Sequence, residues 1–153
     1  MTEYGLTSGA WSRTIIGMDV GTRETVGELL GRMAAGDHDR TAELFAEPID
    51  WQLDWPAEGH PAVPWIRARS SRADVADHFG TLEQFHVPEL NATEVTRILV
   101  DGPDAVVLGT IAQTTRGGRA YTSAFALHLT VEAGLITRFH IYEDSLSVLR
   151  AHK

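Results

Sequence analysis

The stretch TEVTRILVDGPDAVVLGTIAQTTRGGRAYTSAFALHLTVEAGLITRFHIYE, residues 93–143, decides the fold. It divides into four runs rich in β-branched and aromatic residues, at about 93–100, 105–115, 120–131 and 135–143. Asp101-Gly-Pro-Asp104, Gly117-Gly118 and Glu132-Ala-Gly134 separate them, and these are the residue types that tight turns require. The spacing predicts an antiparallel meander. Its third run is long for a strand in a globular domain, which predicts a strongly bent sheet.

Upstream the period changes from two to 3.6. Val26, Leu29, Leu30 and Met33 fall on one helical face and predict a helix over about 23–35, capped by Thr22 or Thr25 and ended by Gly36. Asp37 caps a short helix expected to carry Leu44 and Phe45. Glu47–Leu53 reads as a strand with Ile49, Trp51 and Leu53 on one face. A loop rich in Pro and Trp follows over Asp54–Trp65. Its prolines bar it from a helix interior or central strand, and loops this long in compact domains are often functional. Ser70 or Ser71 starts a helix to about Gln84, with Ser71 and Asp74 at capping-box spacing and an inner stripe of Val75, His78, Phe79 and Leu82. A short helix is expected over 145–150, capped by Asp144. Residues 1–21 show no clear period and read as an arm or tail, leaving 22–153 as one domain. Helices first and a meander last argue for an α+β domain with helices on one face of an antiparallel sheet.

The 153 residues suffice for one domain with a real core. With 43% hydrophobic and 22% charged residues the chain reads as soluble and globular, without a membrane span or a secretory signal. The absence of cysteine excludes disulfides, thiolate metal sites and thiol catalysis, and fits a cytoplasmic protein. A net charge of −8 disfavours nucleic acid and anionic membranes as partners. Arg67, Arg69 and Arg72 are a local exception. They read as a solvated loop leading into a helix, with an anion-binding cluster as the alternative.

Particular motifs carry a family resemblance. Ala35-Gly-Asp37 with Leu44-Phe45-Ala46, Val63-Pro-Trp65, the helix Arg72–Phe79, Gly118-Arg119, Gly134-Leu-Ile136 and Phe139-His-Ile-Tyr-Glu-Asp144 resemble, in order and spacing, the SnoaL-like and ketosteroid-isomerase-like members of the NTF2-like superfamily. The resemblance covers about residues 23–150. It implies a cone in which a curved antiparallel sheet wraps around N-terminal helices and encloses an apolar pocket, and a homodimer formed through the outer sheet face. The fold hosts many chemistries. The isomerase positions for Tyr, catalytic Asp and protonated Asp fall at Leu29, Leu53 (with Asp54 next) and Leu127. The last-strand Asp of limonene-epoxide-hydrolase-like members falls at Ile141.

Alternation then supplies a facing map. Trp51, Leu53, Trp55, Trp65, Phe79, Phe125, Leu127, Phe139 and Ile141 are expected to line an apolar, aromatic site for a hydrophobic small molecule. The same residue types also make an ordinary core. Val106, Leu108 and Thr110 are expected on the corresponding face of their strand. Four polar residues are candidates for chemistry. His78 is either a hydrogen-bonded core residue or a general acid–base, since imidazole titrates near ~6.5. Asp54 either caps the turn into the Trp-Pro loop or serves as a base made stronger by desolvation. Glu143 is either a solvated strand end or an inward-facing acid–base. Tyr121, and less directly His60, can donate to an oxyanion. His128, His140 and Tyr142 are expected to face outward. No metal-ligand spacing, phosphate-binding Gly loop or nucleophile elbow is present, so neither a metal nor a cofactor is expected. The leading expectation is a cofactor-independent acid–base enzyme, a cyclase, isomerase or dehydratase acting on a ring-containing or polyketide-like molecule. The rivals are a non-catalytic binding domain of the same fold and an interaction module with a self-filled pocket.

Overall fold

The computed structural model describes residues 8–153, with side chains from residue 17 onward. In chain order it contains α1 (Ser8–Ala35), α2 (His38–Ala42), β1 (Phe45–Leu53), α3 (Arg72–Phe85), β2 (Glu94–Asp101), β3 (Asp104–Thr114), β4 (Ala120–Glu132), β5 (Leu135–Glu143) and α4 (Ser145–His152). The strands form one curved sheet in the order β1-β5-β4-β3-β2. β1 runs parallel to β5, and every other pairing is antiparallel. The architecture is the α+β arrangement that the meander and the helical periods predict.

α1 is longer than its periodicity shows. The expected arm over 1–21 is, from Ser8 onward, the first half of this helix. Residues 1–7 lie outside the described residues, as do the side chains of Trp11, Ile15 and Ile16. Gly9, Gly17 and Gly21 lower helix propensity and interrupt the apolar stripe. Tertiary bonds offset that cost. The Asp19 carboxylate accepts from the Gly102 amide at 2.6 Å, and the Thr22 hydroxyl donates to the Gly102 carbonyl at 2.6 Å. Thr22 and Thr25 are therefore interior residues and not caps; the Thr25 hydroxyl bonds back to the Gly21 carbonyl. Gly36, at φ +70°, ends the helix as expected.

α2 stops at Ala42, so Leu44 and Phe45 are not helical as expected: Phe45 opens β1. Asp37 does cap α2 by accepting from Arg40 N. The capping box of Ser71 and Asp74 is complete at the start of α3. That end of α3 is tied to β1, because Arg72 Nε donates to the Phe45 carbonyl at 2.7 Å and Ile49 N donates to the Ser70 carbonyl at 3.0 Å. Arg69 corrects the solvated-loop reading. Its side chain is fully enclosed and donates to Asp77 Oδ2 at 2.9 Å, to the Trp65 carbonyl at 3.3 Å and to the Asp74 carbonyl. Arg67 bridges Asp74 and Asp77 from outside at 3.2 and 3.0 Å. These arginines staple the loop to α3.

The main core lies between the concave sheet face and the helices. Val26 and Leu29 of α1 and Val75 and Phe79 of α3 meet Phe45, Ile49, Leu127, Leu129, Ile136 and Phe139 there. Pairing of Val107 with Leu127 and of Ala105 with Leu129 puts Val107 and Ala105 inside. Val106, Leu108 and Thr110 therefore face away from the core, opposite to the expected assignment. Directly paired residues share a face, and β4 fixes which face that is.

Gly109 sits where β3 passes under the Phe125 ring at an irregularity in β2. A Cβ there would meet the Glu94 carbonyl at 2.1 Å and Phe125 Cε1 at 2.8 Å. Gly109→Ala is expected to lower stability by about 1–3 kcal/mol, as overpacking does, and to shift the backbone amide signals of β2. Urea unfolding with an amide fingerprint spectrum checks both; an unchanged midpoint would count against the crowding described.

Candidate functional site

The strand register builds the site at one end of the concave face. Trp51 pairs with Phe139 and Leu53 with Ile141 between β1 and β5. Leu127 pairs with Ile141 and Phe125 with Glu143 between β4 and β5, and Gln113 pairs with Tyr121 between β3 and β4. Moving along the sheet, burial falls. Leu127 and Phe139 are fully enclosed, whereas Leu53, Phe125, Ile141, Glu143 and Tyr121 are only partly covered.

The aromatic residues named from the sequence accordingly separate into three groups. Trp51, Phe79, Leu127 and Phe139 are packed into the core, with Trp51 stacked on Phe139 at 4.2 Å between ring centroids and 8° between planes. Trp65 belongs to a second cluster with Val63 and Val148, and its ring edge meets His86 and His152. Leu53, Trp55, Phe125 and Ile141 form the partly covered apolar rim around Glu143.

The polar candidates separate too. Glu143 and Tyr121 stand together. Trp55 donates its indole N–H to Glu143 Oε1 at 2.8 Å. Burial pushes the Glu143 carboxyl above its ordinary value, against the Trp55 hydrogen bond and with help from the negative charges of Asp54 and Asp144. The Tyr121 phenol is pushed up as well, chiefly by burial and secondarily by Glu143. Its hydroxyl donates to Gln113 Oε1 at 2.8 Å and lies 2.7 Å from His86 Nε2. Asp54 is exposed on the rim, where its backbone amide donates to the Ile141 carbonyl at 3.0 Å. Its carboxylate reaches Glu143 through its field. His60 is used within its own loop, where Nδ1 accepts from Ala62 N at 3.0 Å.

His78 stands apart, in the core. It lies edge-on to Trp51 at 4.8 Å and beside Phe79. Burial, with the charge of Arg69 adding to it, lowers its pKa to about 3 against the opposing Trp65 backbone hydrogen bond. Such an imidazole stays neutral at ordinary pH and is a weak base. His78 Nδ1 and the neighbouring Trp51 Nε1 are buried without a hydrogen-bond partner. On the outer face, His128 contacts Asp104 at 3.0 Å and His140 contacts Asp50 at 2.8 Å, with Tyr142 exposed. Asp144 caps α4 by accepting from Ser147 N at 3.1 Å.

Sequence reading missed Gln113, His86 and His152. None lies in a motif. His86 follows the last turn of α3 and His152 ends α4, and only the packing of the two helix ends brings them to Tyr121. Among the described residues no group of three or more His, Cys, Asp or Glu side chains gathers as a metal site, and no helix is long and apolar enough to cross a membrane. Tyr121 and Gln113 also border a cleft of about 370 Å³ floored by Leu90, Ala92 and Ala112.

A family model for the SnoaL-like domain matches residues 26–139. The chain belongs to that family. Solved structures agree on the fold at low identity. An NTF2-like protein from Burkholderia xenovorans LB400 is 18% identical over 88% of this chain and 98% of its own, with a TM-score of 0.71. A protein of ketosteroid-isomerase-like fold from Catenulispora acidiphila, solved with trimethylamine, is 15% identical over 84% and 92%, TM-score 0.68. TerC, co-crystallised with polyporic acid, is 14% identical over 86% and 97%, TM-score 0.72. No curated protein matches the chain. For this SnoaL-like domain the likeness to the solved structures is one of fold.

The burial of His78 has a measurable consequence. Its folded-state pKa lies below the unfolded value of about 6.5, so the unfolded chain takes up the proton first. Stability is then full above about pH 6.5 and falls, by on the order of 1 kcal/mol per pH unit, as pH drops from there toward 3. His78→Phe removes this proton linkage. Its urea-unfolding free energy is expected to decline less steeply than the wild type's between pH 6 and 4, and parallel slopes would contradict the burial described.

Proposed function

We propose that this protein is a cofactor-independent general acid–base enzyme, a cyclase, isomerase or dehydratase, acting on a hydrophobic ring-containing or polyketide-like small molecule at the open end of its cone. The observation that carries this reading is Glu143. It is a largely buried carboxyl, raised by its surroundings, held by a single indole N–H and rimmed by Leu53, Trp55, Phe125 and Ile141. A carboxyl whose proton affinity is raised by burial is a stronger base than a solvated one and can remove or return a proton next to a carbonyl. Tyr121 supplies the complementary group, a neutral hydroxyl that donates to the oxygen on which charge develops. Asp54 keeps its place on the rim as a second carboxylate that holds the Glu143 proton affinity up. The core aromatics beneath, Trp51 and Phe139, form the floor.

Glu143 abstracts the proton from carbon, the electron pair moves onto the carbonyl oxygen, and Tyr121 donates to that oxygen. Glu143 then returns the proton at another carbon, or an eliminated hydroxyl leaves with it. TerC, a structure of like fold, was co-crystallised with polyporic acid, which supports a small organic molecule as the ligand here. The lack of cysteine supports a cytoplasmic setting. The outer sheet face, with Tyr142 and Leu99 exposed, supports a homodimer.

A binding domain without turnover is the second reading. It is favoured by one observation: the resemblance puts the steroid-isomerase Tyr, base Asp and protonated-Asp positions at Leu29, Leu53 and Leu127 and the last-strand Asp position of epoxide-hydrolase-like members at Ile141, and all four are apolar.

Thermal-shift screening against hydrophobic ring ketones and quinones identifies ligands, and product analysis then tests turnover. Glu143→Gln keeps an acceptor for Trp55 and is expected to bind the hit while turning over about 10²–10⁴-fold more slowly. The wild-type rate should rise with pH along a limb displaced above the ordinary Glu value of ~4.3. Stability moves the opposite way: Glu143 binds its proton more tightly when folded, so its contribution is full at low pH and is lost as pH rises through the raised pKa. Unchanged turnover in Glu143→Gln would sink the assignment, and ligands that bind without any being transformed would favour the second reading.

A further inference from the structure

His86 and His152 meet at their Nε2 atoms, 3.0 Å apart. Each ring has its Nδ1 against the carbonyl four residues earlier in its own helix, Leu82 at 2.7 Å and Val148 at 2.8 Å. A carbonyl only accepts, so both Nδ1 atoms carry hydrogen. In two neutral imidazoles both Nε2 atoms are then bare lone pairs, and they face each other. The Tyr121 hydroxyl, 2.7 Å from His86 Nε2, has one hydrogen and donates it to Gln113 Oε1. Reversing the Gln113 amide lets Tyr121 donate to His86, yet the two Nε2 lone pairs still oppose each other. The network is short of one hydrogen in either arrangement.

One added proton completes it. With hydrogen on His86 Nε2, that atom donates to Tyr121 Oη and to the His152 lone pair. Tyr121 donates to Gln113, and both Nδ1 bonds stand. A metal ion fits less well. The 2.7 Å between Tyr121 Oη and His86 Nε2 is a direct hydrogen-bond distance, shorter than the roughly 2.8–3.4 Å that separates two ligands each ~2.0–2.1 Å from one ion. No carboxylate joins the three groups.

We propose that His86 and His152 share one proton and pass it to Tyr121, forming a relay from the outer surface to the open end of the cone. His152 lines a solvent-open cleft of about 280 Å³ together with Phe85, Arg116 and Arg119. Tyr121 stands at the inner end, on the concave face near Glu143. The relay rests on the reading of Tyr121 as the donor in the proposed reaction. In one turn, the Tyr121 hydroxyl rotates from Gln113 to the substrate oxygen, gives it its proton and takes the His86 Nε2 proton. The pair is left neutral and regains a proton from water at His152. When the oxygen returns its proton the sequence reverses, so no proton is created or lost. His86 and His152 act through Tyr121 and are positioning residues.

Charge on the pair is opposed by burial of His86 and by Arg116. Arg119 and Arg150 stand nearby, but the Arg119 guanidinium is turned onto the carbonyls of Arg150 and Lys153, and Arg116 onto those of Glu83 and Gln84. Glu83 is engaged with His38, and Glu143 lies beyond Tyr121 on β5. What favours the charge is local: two carbonyls fixing the Nδ1 hydrogens, and the relief of two opposed lone pairs.

The test needs no substrate. Ring ¹⁵N and tyrosine ¹³Cζ spectra are recorded from pH 5 to 9 on the whole protein. At pH 6 the two rings are expected to hold three hydrogens between them, with both Nδ1 protonated. The third should leave in a single step shared by both rings, and the Tyr121 Cζ signal should move on that same step. In His152→Phe the shared step disappears, whereas in Tyr121→Phe the pair keeps it. Two rings with no third hydrogen down to pH 5, or a bare Nδ1 on either ring, would overturn the proposal. So would stoichiometric zinc binding that shifts both Nε2 signals and is lost in His152→Phe. Failure to find any turned-over substrate would remove the proposed reaction yet leave these spectra unchanged, so the two failures are told apart.

Discussion

β1 enters the sheet parallel to β5, and the placement of the site depends on that pairing. The other strand contacts are hairpins between neighbours, which local turn chemistry supports. The β1–β5 ladder has no such help and is held by what it buries. Phe45 pairs with Ile136 and Trp51 with Phe139, and both pairs are covered by Val75 and Phe79 from α3. Burying side chains of this size yields about 1.5–3 kcal/mol each against leaving them exposed, which is ample for a short parallel ladder. Because the register is set by Trp51 on Phe139, Leu53 must fall beside Ile141, and the loop leaving β1 must carry Trp55 over Glu143. The indole–carboxylate bond is thus a consequence of core packing two residue pairs away. The same ladder delivers Asp54 to the rim, where its charge acts on Glu143 without touching it.

Three ionisable candidates ended in three physical environments, and that difference decides their chemistry. Glu143 is largely covered and keeps one hydrogen bond from Trp55, so its proton affinity rises while the residue stays only partly buried. His78 is covered completely by aromatic edges with Arg69 close by, so it loses its proton and its usefulness together. Asp54 remains in solvent. Burial alone is therefore no guide to function; what matters is whether burial moves a group toward neutral pH and leaves a way in.

Much of the fold was legible because its signals are local. Turn residues between β2 and β5, the alternation of Ile49, Trp51 and Leu53, the box of Ser71 and Asp74, and the cap at Asp144 each depend on neighbours within four residues. The failures were of the opposite kind. The first half of α1 has poor intrinsic propensity and stands because Asp19 and Thr22 grip Gly102, 83 and 80 positions away in sequence. The facing of β3 follows from its pairing with β4, which alternation cannot supply when Val106, Val107 and Leu108 are all apolar. Within the site, Glu143 and Tyr121 could be named from strand alternation. His86, His152 and Gln113 could not, since two helix ends and a strand must first come together. Arg69 read as solvated because an arginine in a Ser-rich loop gives no sign of the enclosed carbonyls and carboxylate that receive it.

The bond between Trp55 and Glu143 joins residues 88 positions apart. Contacts of such long range are slow to form, because a large loop must close before they return any energy. During synthesis, helices α1 and α3 and the hairpins β2–β3 and β3–β4 can all form while β5 is still inside the ribosome, but β1 then has an exposed flank and no partner. An unpaired strand carrying Phe45, Ile49 and Trp51 is a surface on which nascent chains adhere to one another. The glutamate that makes this protein chemically interesting thus arrives with the same strand that removes its principal hazard during synthesis.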